Sequence, residues 1–202
     1  MAFGKPGRPP EDRLARQAEI YLAVAPLILE GGARHLSMRA AADAACMSIG
    51  GLYHYFPTKR DLVLHGLDEA ARTRLCHEYR AAIADVAAWG LSRWVESYLD
   101  FAQRMIDFMR PAVQAALDLG VDEFQTQLDS GLVYHVTDLV ETLRVLVPAI
   151  PGRDLESLAR AMRRLVLGTL IDRTDTRAEL RDQQRALIYG YAVLTQRAAA
   201  TA

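Results

Sequence analysis

The sequence predicts an all-α protein of about nine helices, with a small three-helix head followed by a larger helical body. Apolar residues recur at spacings of three and four, which buries one face of a helix, and glycine or proline residues separate these segments. No segment alternates apolar and polar residues for long enough to predict a strand. The 202 residues, 51% of them hydrophobic and 24% charged, are typical of a globular protein with an ordinary core.

The first ten residues are rich in proline and glycine and carry two basic side chains, Lys5 and Arg8. This composition disfavours a helix and a packed core, so residues 1–10 are predicted to form a flexible basic arm. Around Arg8 the sequence Gly-Arg-Pro is similar to the centre of an AT-hook, in which an arginine lies in the minor groove of DNA. A disordered tail that does not contact DNA is the alternative interpretation.

The head is predicted to begin with an amphipathic helix from about Glu11 to Glu30, which Gly31 and Gly32 end. Pro26 lies inside this helix and lacks an amide donor, so a kink is expected just before it.

Two short helices separated by a tight turn are predicted next. Ser37 can cap the first and Ser48 the second, which covers Ile49 to Tyr55, because a serine hydroxyl accepts a hydrogen bond from a first-turn amide. This spacing is typical of a helix-turn-helix, whose second helix lies in the major groove of DNA. The core of the head is expected to contain Ile28, Leu36, Met47, Leu52 and Phe56.

The outer face of the two short helices carries residues that are unusual for a buried surface: Arg39, Ser48, Ile49, Gly50, Tyr53 and His54. Gly50 and Gly51 each cost about 1 kcal/mol against alanine in a helix interior. Close approach to a DNA groove would compensate for this cost. The alternative is that both glycines lie in a loose turn and have no function.

The segment from Ser37 to Leu64 resembles the DNA-binding motif of the TetR family of transcriptional regulators. That motif has a serine or threonine before the first helix, an Ala-Gly-Val-Ser-like turn and a spaced string that here is Leu52, Tyr53, Phe56, Lys59 and Leu62. The motif-level resemblance covers about a quarter of the chain, roughly from Ile20 to Leu67.

Three residues depart from the family pattern, namely Pro26, Ala41 and Cys46. Cys46 stands where the turn usually has glycine, and a residue with a side chain can be held at positive φ for a modest cost. None of the three is a residue that would touch DNA, so the motif is expected to be retained.

The resemblance implies that residues 11–58 form a DNA-binding domain and residues 59–202 a domain that binds an effector and dimerises. We expect phosphate contacts from Arg39, Ser48, Tyr53 and Lys59, and base contacts from Ile49, Gly50 and His54. The full set of candidate DNA-binding residues is Lys5, Arg8, Ser37, Arg39, Ser48, Ile49, Gly50, Gly51, Tyr53, His54 and Lys59.

The distribution of charge agrees with this interpretation. The chain has a net charge of -1, yet residues 1–60 contain eight basic and five acidic side chains, a net charge of +3, which leaves -4 on the remainder. Basic residues therefore gather where phosphates would lie, and the rest of the protein would be repelled by DNA.

The body is predicted to begin with a long helix that Thr58 caps and that runs from Lys59 towards Val86; in the family this helix is the lever between body and head. Further helices are predicted after Ser92, after Pro111, from Asp122 to Val147, after Asp154 and from about Arg177 to Ala198. In the family the last two helices pair with their copies as a four-helix bundle, which implies a homodimer.

Aromatic and methionine residues are concentrated in the first half of the body. Such side chains make adaptable walls for an apolar ligand, and the resemblance implies an effector pocket there. The candidate ligand-binding residues are Trp94, Tyr98, Phe101, Met105, Phe108, Phe124, Tyr134 and His135. His77 is a further polar candidate. The alternative is that these side chains only form the core.

No catalytic or metal-binding pattern occurs in the sequence, so we predict no enzyme activity, no cofactor and no metal. Cys46 and Cys76 are expected to be buried or half-buried thiols. The sequence has no apolar run of about 18 residues and no signal-peptide core, which predicts a cytoplasmic protein without a membrane partner.

Together these observations predict a ligand-responsive transcriptional regulator, acting as a repressor. It would bind a palindromic operator in double-stranded DNA as a homodimer, and a small apolar or amphipathic effector would release it. An all-helical small-molecule-binding protein that does not bind DNA is the alternative.

Overall fold

The computed structural model describes residues 12–121, 136–171 and 177–200, and every regular element within these ranges is helical. The helices are α1 (Arg13–Gly31), α2 (Met38–Ala44), α3 (Ile49–Tyr55), α4 (Lys59–Val63), α5 (Glu69–Ala82), α6 (Leu91–Leu119), α7 (136–146), α8 (Gly152–Ile171) and α9 (Arg177–Ala200). Single 3-10 turns cover His65–Leu67 and Val86–Ala88. The predicted all-α class with about nine helices is confirmed. The arm predicted for residues 1–10 lies outside the described residues.

Both serine caps predicted for the head are present. The amide of Ala40 donates to the Ser37 hydroxyl and the amide of Gly51 to the Ser48 hydroxyl, each over 3.1 Å. Helices α2 and α3 therefore begin where the sequence places them. Four of the predicted core residues, Ile28, Leu36, Leu52 and Phe56, are buried, and Met47 is half-buried.

The prediction of one long helix from Lys59 towards Val86 is wrong. Helix α4 ends at Val63, a 3-10 turn follows, and α5 begins only after Asp68, whose carboxylate accepts from the amide of Ala71 over 3.0 Å. The break occurs at Gly66, where a Cβ atom would clash with the backbone carbonyl of Phe108 and the hydroxyl of Tyr21. The backbone leaves helical geometry because it packs directly against α6.

The short helix predicted to open at Pro111 is also wrong, because α6 runs through Pro111 without a break. The buried face of α6 continues on both sides of the proline, from Met109 to Ala112 and Val113. Packing along this face outweighs the lost hydrogen bond. The helix ends at Gly120, which has a left-handed conformation with φ of 64°.

Helix α6 is the central element of the structure. It packs against α1, the 3-10 turn at His65–Leu67, α8 and α9, so the apolar cores of head and body are continuous. Arg181 and Arg185 of α9 bind Glu96 of α6, at 2.9 and 2.8 Å, and Arg181 also binds Asp100 at 2.6 Å. None of the described helices has a stretch long and apolar enough to cross a membrane.

Candidate nucleic-acid interface and body cavity

Helix α3 presents one face to solvent and buries the other. Ile49 and Tyr53 are 48% and 46% exposed, and Gly50 and His54 are exposed beside them, whereas Leu52 is fully buried. Residues four apart lie on the same side of a helix, so these four residues form a single surface. The surface belongs to a single short helix, and the major groove of DNA is wide enough to accommodate one α-helix.

The two glycines of α3 have different environments. A Cβ atom on Gly50 would meet nothing within 4 Å, whereas one on Gly51 would lie 3.2 Å from atoms of both Met47 and Ser48. The small size of Gly51 is therefore explained by packing within the head. Packing does not explain Gly50, which lies on the exposed face.

The turn between α2 and α3 has the geometry of a Schellman motif. The amide of Met47 donates to the carbonyl of Ala42 over 3.0 Å, and the amide of Cys46 to that of Asp43 over 3.1 Å. Cys46 adopts a φ of 51°, so it takes the left-handed conformation that glycine would favour. The thiol of Cys46 is exposed, contrary to the prediction, while Cys76 is buried as predicted.

Two residues of α1 hold the C-terminal end of α3, and sequence reasoning missed both. Arg13 donates to the carbonyl of His54 over 2.7 Å, and its guanidinium lies 5.6 Å from the ring centroid of Tyr55. Gln17 donates to the carbonyl of Tyr55 over 2.9 Å. The last carbonyls of a helix need external donors, and a cation there complements the helix dipole. No local signal links positions about forty residues apart.

Lys59 stabilises the head through hydrogen bonds to its backbone. Its ammonium donates to the carbonyls of Arg34 and Leu36, over 2.9 and 3.0 Å, in the loop before α2. Two of its three N–H donors are therefore used inside the protein. The phosphate contact expected of Lys59 stays a prediction, with one donor left to make it.

The remaining candidates in the described head lie at its surface. Arg39 on α2 is exposed, and so are the capping serines Ser37 and Ser48, whose hydroxyl protons are free to be donated to a phosphate. The candidates Lys5 and Arg8 lie outside the described residues.

A cluster of four rings joins the head to the body. The imidazole of His65 contacts Tyr21, Phe56 and Phe108 edge to face, with ring centroids 5.6, 5.2 and 5.8 Å away. His65 is buried and its Nε2 atom has no hydrogen-bond partner in the part of the chain that the structure describes. Burial lowers the pKa of His65, and the nearby carboxylate of Asp68 partly opposes that shift.

A cavity of about 190 Å³ lies in the body between α5, α6 and α7. Among the residues that the structure describes, eleven line it: Cys76, Tyr79, Arg80, Ile83, Val86, Trp94, Phe101, Asp138, Leu139, Glu141 and Thr142. The rings of Tyr79 and Phe101 stack nearly parallel, 4.2 Å apart and at 11°. Arg80 and Asp138 form an ion pair of 2.6 Å that joins α5 to α7.

The structure brings only some of the candidate ligand-binding residues to this cavity. Trp94 and Phe101 line it, whereas Tyr98, Met105 and Phe108 are buried elsewhere on α6, with Phe108 in the ring cluster at His65. The candidates Phe124, Tyr134 and His135 lie outside the described residues. The further candidate His77 is exposed and does not line the cavity.

The lining residues of α5 and α7 were missed because they are ordinary amphipathic residues in the sequence. Tyr79, Arg80 and Asp138 form no motif, and Arg80 and Asp138 are 58 positions apart. Their role becomes visible only once the two helices lie beside α6.

Comparison with known proteins agrees with this geometry. Residues 21–65 match the sequence family described as "Bacterial regulatory proteins, tetR family". The chain is 25% identical over 179 residues to the HTH-type transcriptional repressor KstR of Mycolicibacterium smegmatis, an alignment that covers 88% of this chain and 85% of that protein.

Solved structures share the fold. A crystal structure of a protein from Pseudomonas aeruginosa PAO1 matches 93% of this chain and 96% of its own, with a TM-score of 0.59 and 20% sequence identity. The fatty acid degradation regulator FadR from Bacillus halodurans matches 91% of this chain and 96% of its own, with a TM-score of 0.57 and 16% identity. The similarity therefore extends beyond the head to the body.

Proposed function

Because the chain belongs to the TetR family of transcriptional regulators, we propose that it is a ligand-responsive repressor that binds a palindromic operator as a homodimer. The observation that carries the proposal is the exposed face of α3. Ile49, Gly50, Tyr53 and His54 lie on it together, and Arg13 holds the end of the helix in place. KstR, the relative described above, is itself named as a repressor.

Within this proposal the exposed residues of the helix-turn-helix divide into those that contact bases and those that contact phosphates. Ile49 can contact a thymine methyl, and His54 can donate to or accept from a purine edge. Gly50 has no side chain, so the helix can approach the groove closely there, and no other part of the protein within the described residues lies near its Cβ position. Arg39, Ser48 and Tyr53 contact phosphates and set the register of the helix on the duplex.

The homodimer would be formed by α8 and α9. Ile171 on α8 and Tyr189 and Val193 on α9 are large apolar residues exposed in the single chain. Gly168 and Gly190 have open space where a Cβ would lie, which allows a second helix to approach closely. Two heads about 34 to 36 Å apart would then read the two halves of a palindrome.

Effector binding would act through α6. Phe101 lines the cavity and Phe108, two turns further along the same helix, contacts Tyr21 and His65 at the junction with the head. A ligand lowers operator affinity if it binds more tightly to a body conformation in which the two heads are not positioned for the operator. The loss of operator affinity cannot exceed the ratio of the ligand's affinities for the two body conformations. We place this regulator in the cytoplasm, where it reaches DNA.

The test is fluorescence anisotropy of a labelled duplex from the region upstream of the protein's own gene, titrated at about 50 and 200 mM salt. We expect binding that weakens with salt and that random DNA does not displace. In His54→Ala the preference over random DNA should fall, whereas His77→Ala, which removes an exposed histidine of the body, should behave as wild type.

Two results would contradict the proposal. Equal losses on specific and random DNA for His54→Ala would remove His54 from the base-reading surface. Absence of DNA binding even at low salt would favour an all-helical protein that binds small molecules without DNA.

A further inference from the structure

Asp118, near the C-terminal end of α6, holds the α1–α2 loop (residues 32–37) that leads into the helix-turn-helix. Its carboxylate accepts from the amide of Ala33 over 3.3 Å. Its backbone carbonyl accepts from Nε of Arg34 over 2.6 Å. Two consecutive residues of the head are therefore fixed to one residue of the body, which lies 85 and 84 positions further along the chain.

The carboxylate of Asp118 also packs closely against Gly32. A Cβ atom on Gly32 would lie 3.2 Å from Oδ2 of Asp118, and Gly32 has a φ of 76°. Glycine tolerates both the close approach and the positive φ. Gln114, one turn earlier on α6, donates to Oδ1 of Asp118 over 2.9 Å and so orients the carboxylate. The loop is therefore in direct contact with the last turn of α6.

Arg34 satisfies a carbonyl in that last turn. The last four carbonyls of a helix have no partner within it, and a cation beside them complements the helix dipole. Helix α6 ends at Leu119, so the carbonyl of Asp118 belongs to this group. Its bond to the charged guanidinium is charge-assisted, and such bonds are roughly twice as strong as those between neutral groups.

The same loop is also fixed to the helix-turn-helix. Lys59 donates to the carbonyls of Arg34 and Leu36, and the next residue, Ser37, caps α2. The loop is thus bonded to α6 at Ala33 and Arg34 and to the head within the next three residues. A displacement of the end of α6 would therefore move the start of α2.

Helix α6 connects this contact to the body cavity. Phe101, which lines the cavity, precedes Asp118 by 17 residues, or about 26 Å of helix. The contact at Asp118 is separate from the ring cluster that Phe108 forms with Tyr21 and His65. The head is therefore held to α6 at two places along the helix.

We propose that Asp118 is a positioning residue for operator binding. By holding the α1–α2 loop against the end of α6, it fixes the orientation of the head relative to the body, and with it the distance between the two heads of the dimer. This assignment rests on the proposed function, because that distance matters only to a dimer that binds a palindrome. Rigid positioning raises affinity because the second head binds its half-site at a high effective concentration.

The test uses Asp118→Ala and three labelled duplexes at about 50 mM salt. They are the upstream duplex that the wild type binds, the same duplex with two base pairs inserted at its centre, and a duplex with one half-site. The insertion rotates one half-site by about 70° relative to the other. The wild type should prefer the original spacing by at least about tenfold and Asp118→Ala by less than about threefold. Half-site affinity should change by less than about twofold, since a single head is unaltered.

Two further variants make the comparison specific. Asp107→Ala is the matched control, because Asp107 accepts from Gln103 over 2.9 Å as Asp118 does from Gln114, but lies about 16 Å earlier on α6. It should keep the wild-type spacing preference. Arg34→Ala removes the second bond to Asp118 and should reduce the preference as Asp118→Ala does, so it provides the test if Asp118→Ala does not fold.

Spin labels measure the orientation of the head without DNA. Cys46 in the head is exposed and Cys76 is buried, so one label attaches to Cys46. Val145→Cys provides a second site on α7, where the side chain is 52% exposed. An excess of unlabelled chain leaves one labelled chain in each dimer. The distribution of distances between the two labels should broaden in Asp118→Ala and stay as in wild type in Asp107→Ala.

An unchanged distance distribution in Asp118→Ala would overturn the proposal. A broadened distribution with the wild-type spacing preference, or with an equal loss on the half-site, would also overturn it, because Asp118 would then only stabilise the fold. The same effects in Asp107→Ala would assign them to α6 in general. Absence of wild-type binding to every duplex would contradict the proposed function instead, and the label distances alone would then decide whether Asp118 fixes the head.

Discussion

His65 packs edge-on against Phe56, with ring centroids 5.2 Å apart and ring planes at 76°. Phe56 follows the last residue of α3, and His65 begins the turn that leads into the body, so this contact lies where head and body meet. A charged imidazole would be poorly accommodated among these rings, because burial in an apolar site disfavours the charged form.

The lowered pKa of His65 predicts a loss of stability in mild acid. An unfolded histidine titrates near pH 6.5, so below about that pH the unfolded chain binds more protons than the folded one. The free energy of unfolding should therefore fall as the pH falls from 6.5 through the lowered pKa. Urea titrations at pH 7.5 and 5.5 measure this difference. His65→Gln should reduce the difference in free energy of unfolding between the two pH values, whereas His77→Gln, at an exposed residue, should not. If the difference is unchanged in His65→Gln, other titratable groups cause it.

Gly50→Ala should separate folding from DNA binding. The change should raise the free energy of unfolding by up to about 1 kcal/mol, because alanine is the better helix former. It should weaken operator binding by at least about tenfold, since the added methyl would meet the groove. Gly31→Ala, which also has open space for a Cβ but lies at the last position of α1 and not on α3, is the control. Unchanged operator affinity in Gly50→Ala would show that α3 does not approach DNA at this residue.

Lys59→Gln should act on both stability and DNA binding. Loss of the charged donor to the carbonyls of Arg34 and Leu36 should lower the free energy of unfolding by about 2 kcal/mol. If the third N–H contacts a phosphate, all DNA sequences should bind more weakly, and the slope of log binding constant against log salt concentration should decrease in magnitude by about 1. Thermal unfolding and anisotropy at several salt concentrations measure the two effects. A lower stability with an unaltered salt dependence of binding would mean that Lys59 stabilises the head but does not contact DNA. Arg60→Gln, at an exposed neighbouring residue, controls for the loss of one charge.

Cys46→Gly should stabilise the helix-turn-helix. A side chain at a φ of 51° destabilises the folded state by roughly 1 to 2 kcal/mol. Glycine removes this strain, but its greater flexibility in the unfolded chain cancels about half of the gain. The net gain should be about 0.5 to 1 kcal/mol in chemical unfolding. Cys46→Ala keeps a Cβ at the same φ and should show no such gain. Equal stability changes in the two variants would mean that the turn is not strained.

Val193→Asp should disrupt the proposed dimer. A carboxylate on the exposed apolar face of α9 would be buried without a partner in a four-helix bundle, so the dimer dissociation constant should rise at least about tenfold. Sedimentation velocity measures the mass over a range of concentrations. Val145 on α7 is 52% exposed against 47% for Val193, so Val145→Asp is a matched control. A dimer that survives Val193→Asp, or dissociates equally with Val145→Asp, would locate the interface elsewhere.

Much of the head could be predicted because its signals are local. The caps at Ser37 and Ser48 and the turn at Cys46 each depend on residues no more than five positions apart. The exposed face of α3 follows from helical periodicity alone. The cavity could not be predicted in the same way, since Trp94 and Phe101 line it but the other candidates within the described residues, Tyr98, Met105 and Phe108, do not.

The sequence by itself determined the helical class, the helix-turn-helix and the residues of its outer face, because capping, periodicity and turn chemistry act between neighbours along the chain. Only the tertiary structure decided that α4 stops at Val63, that α6 continues through Pro111 and that Arg13 holds the end of α3. At Gly66 the backbone of α6 leaves no room for a Cβ, and along α6 continuous burial overrides the proline. These outcomes depend on contacts between distant segments, which local propensity does not contain.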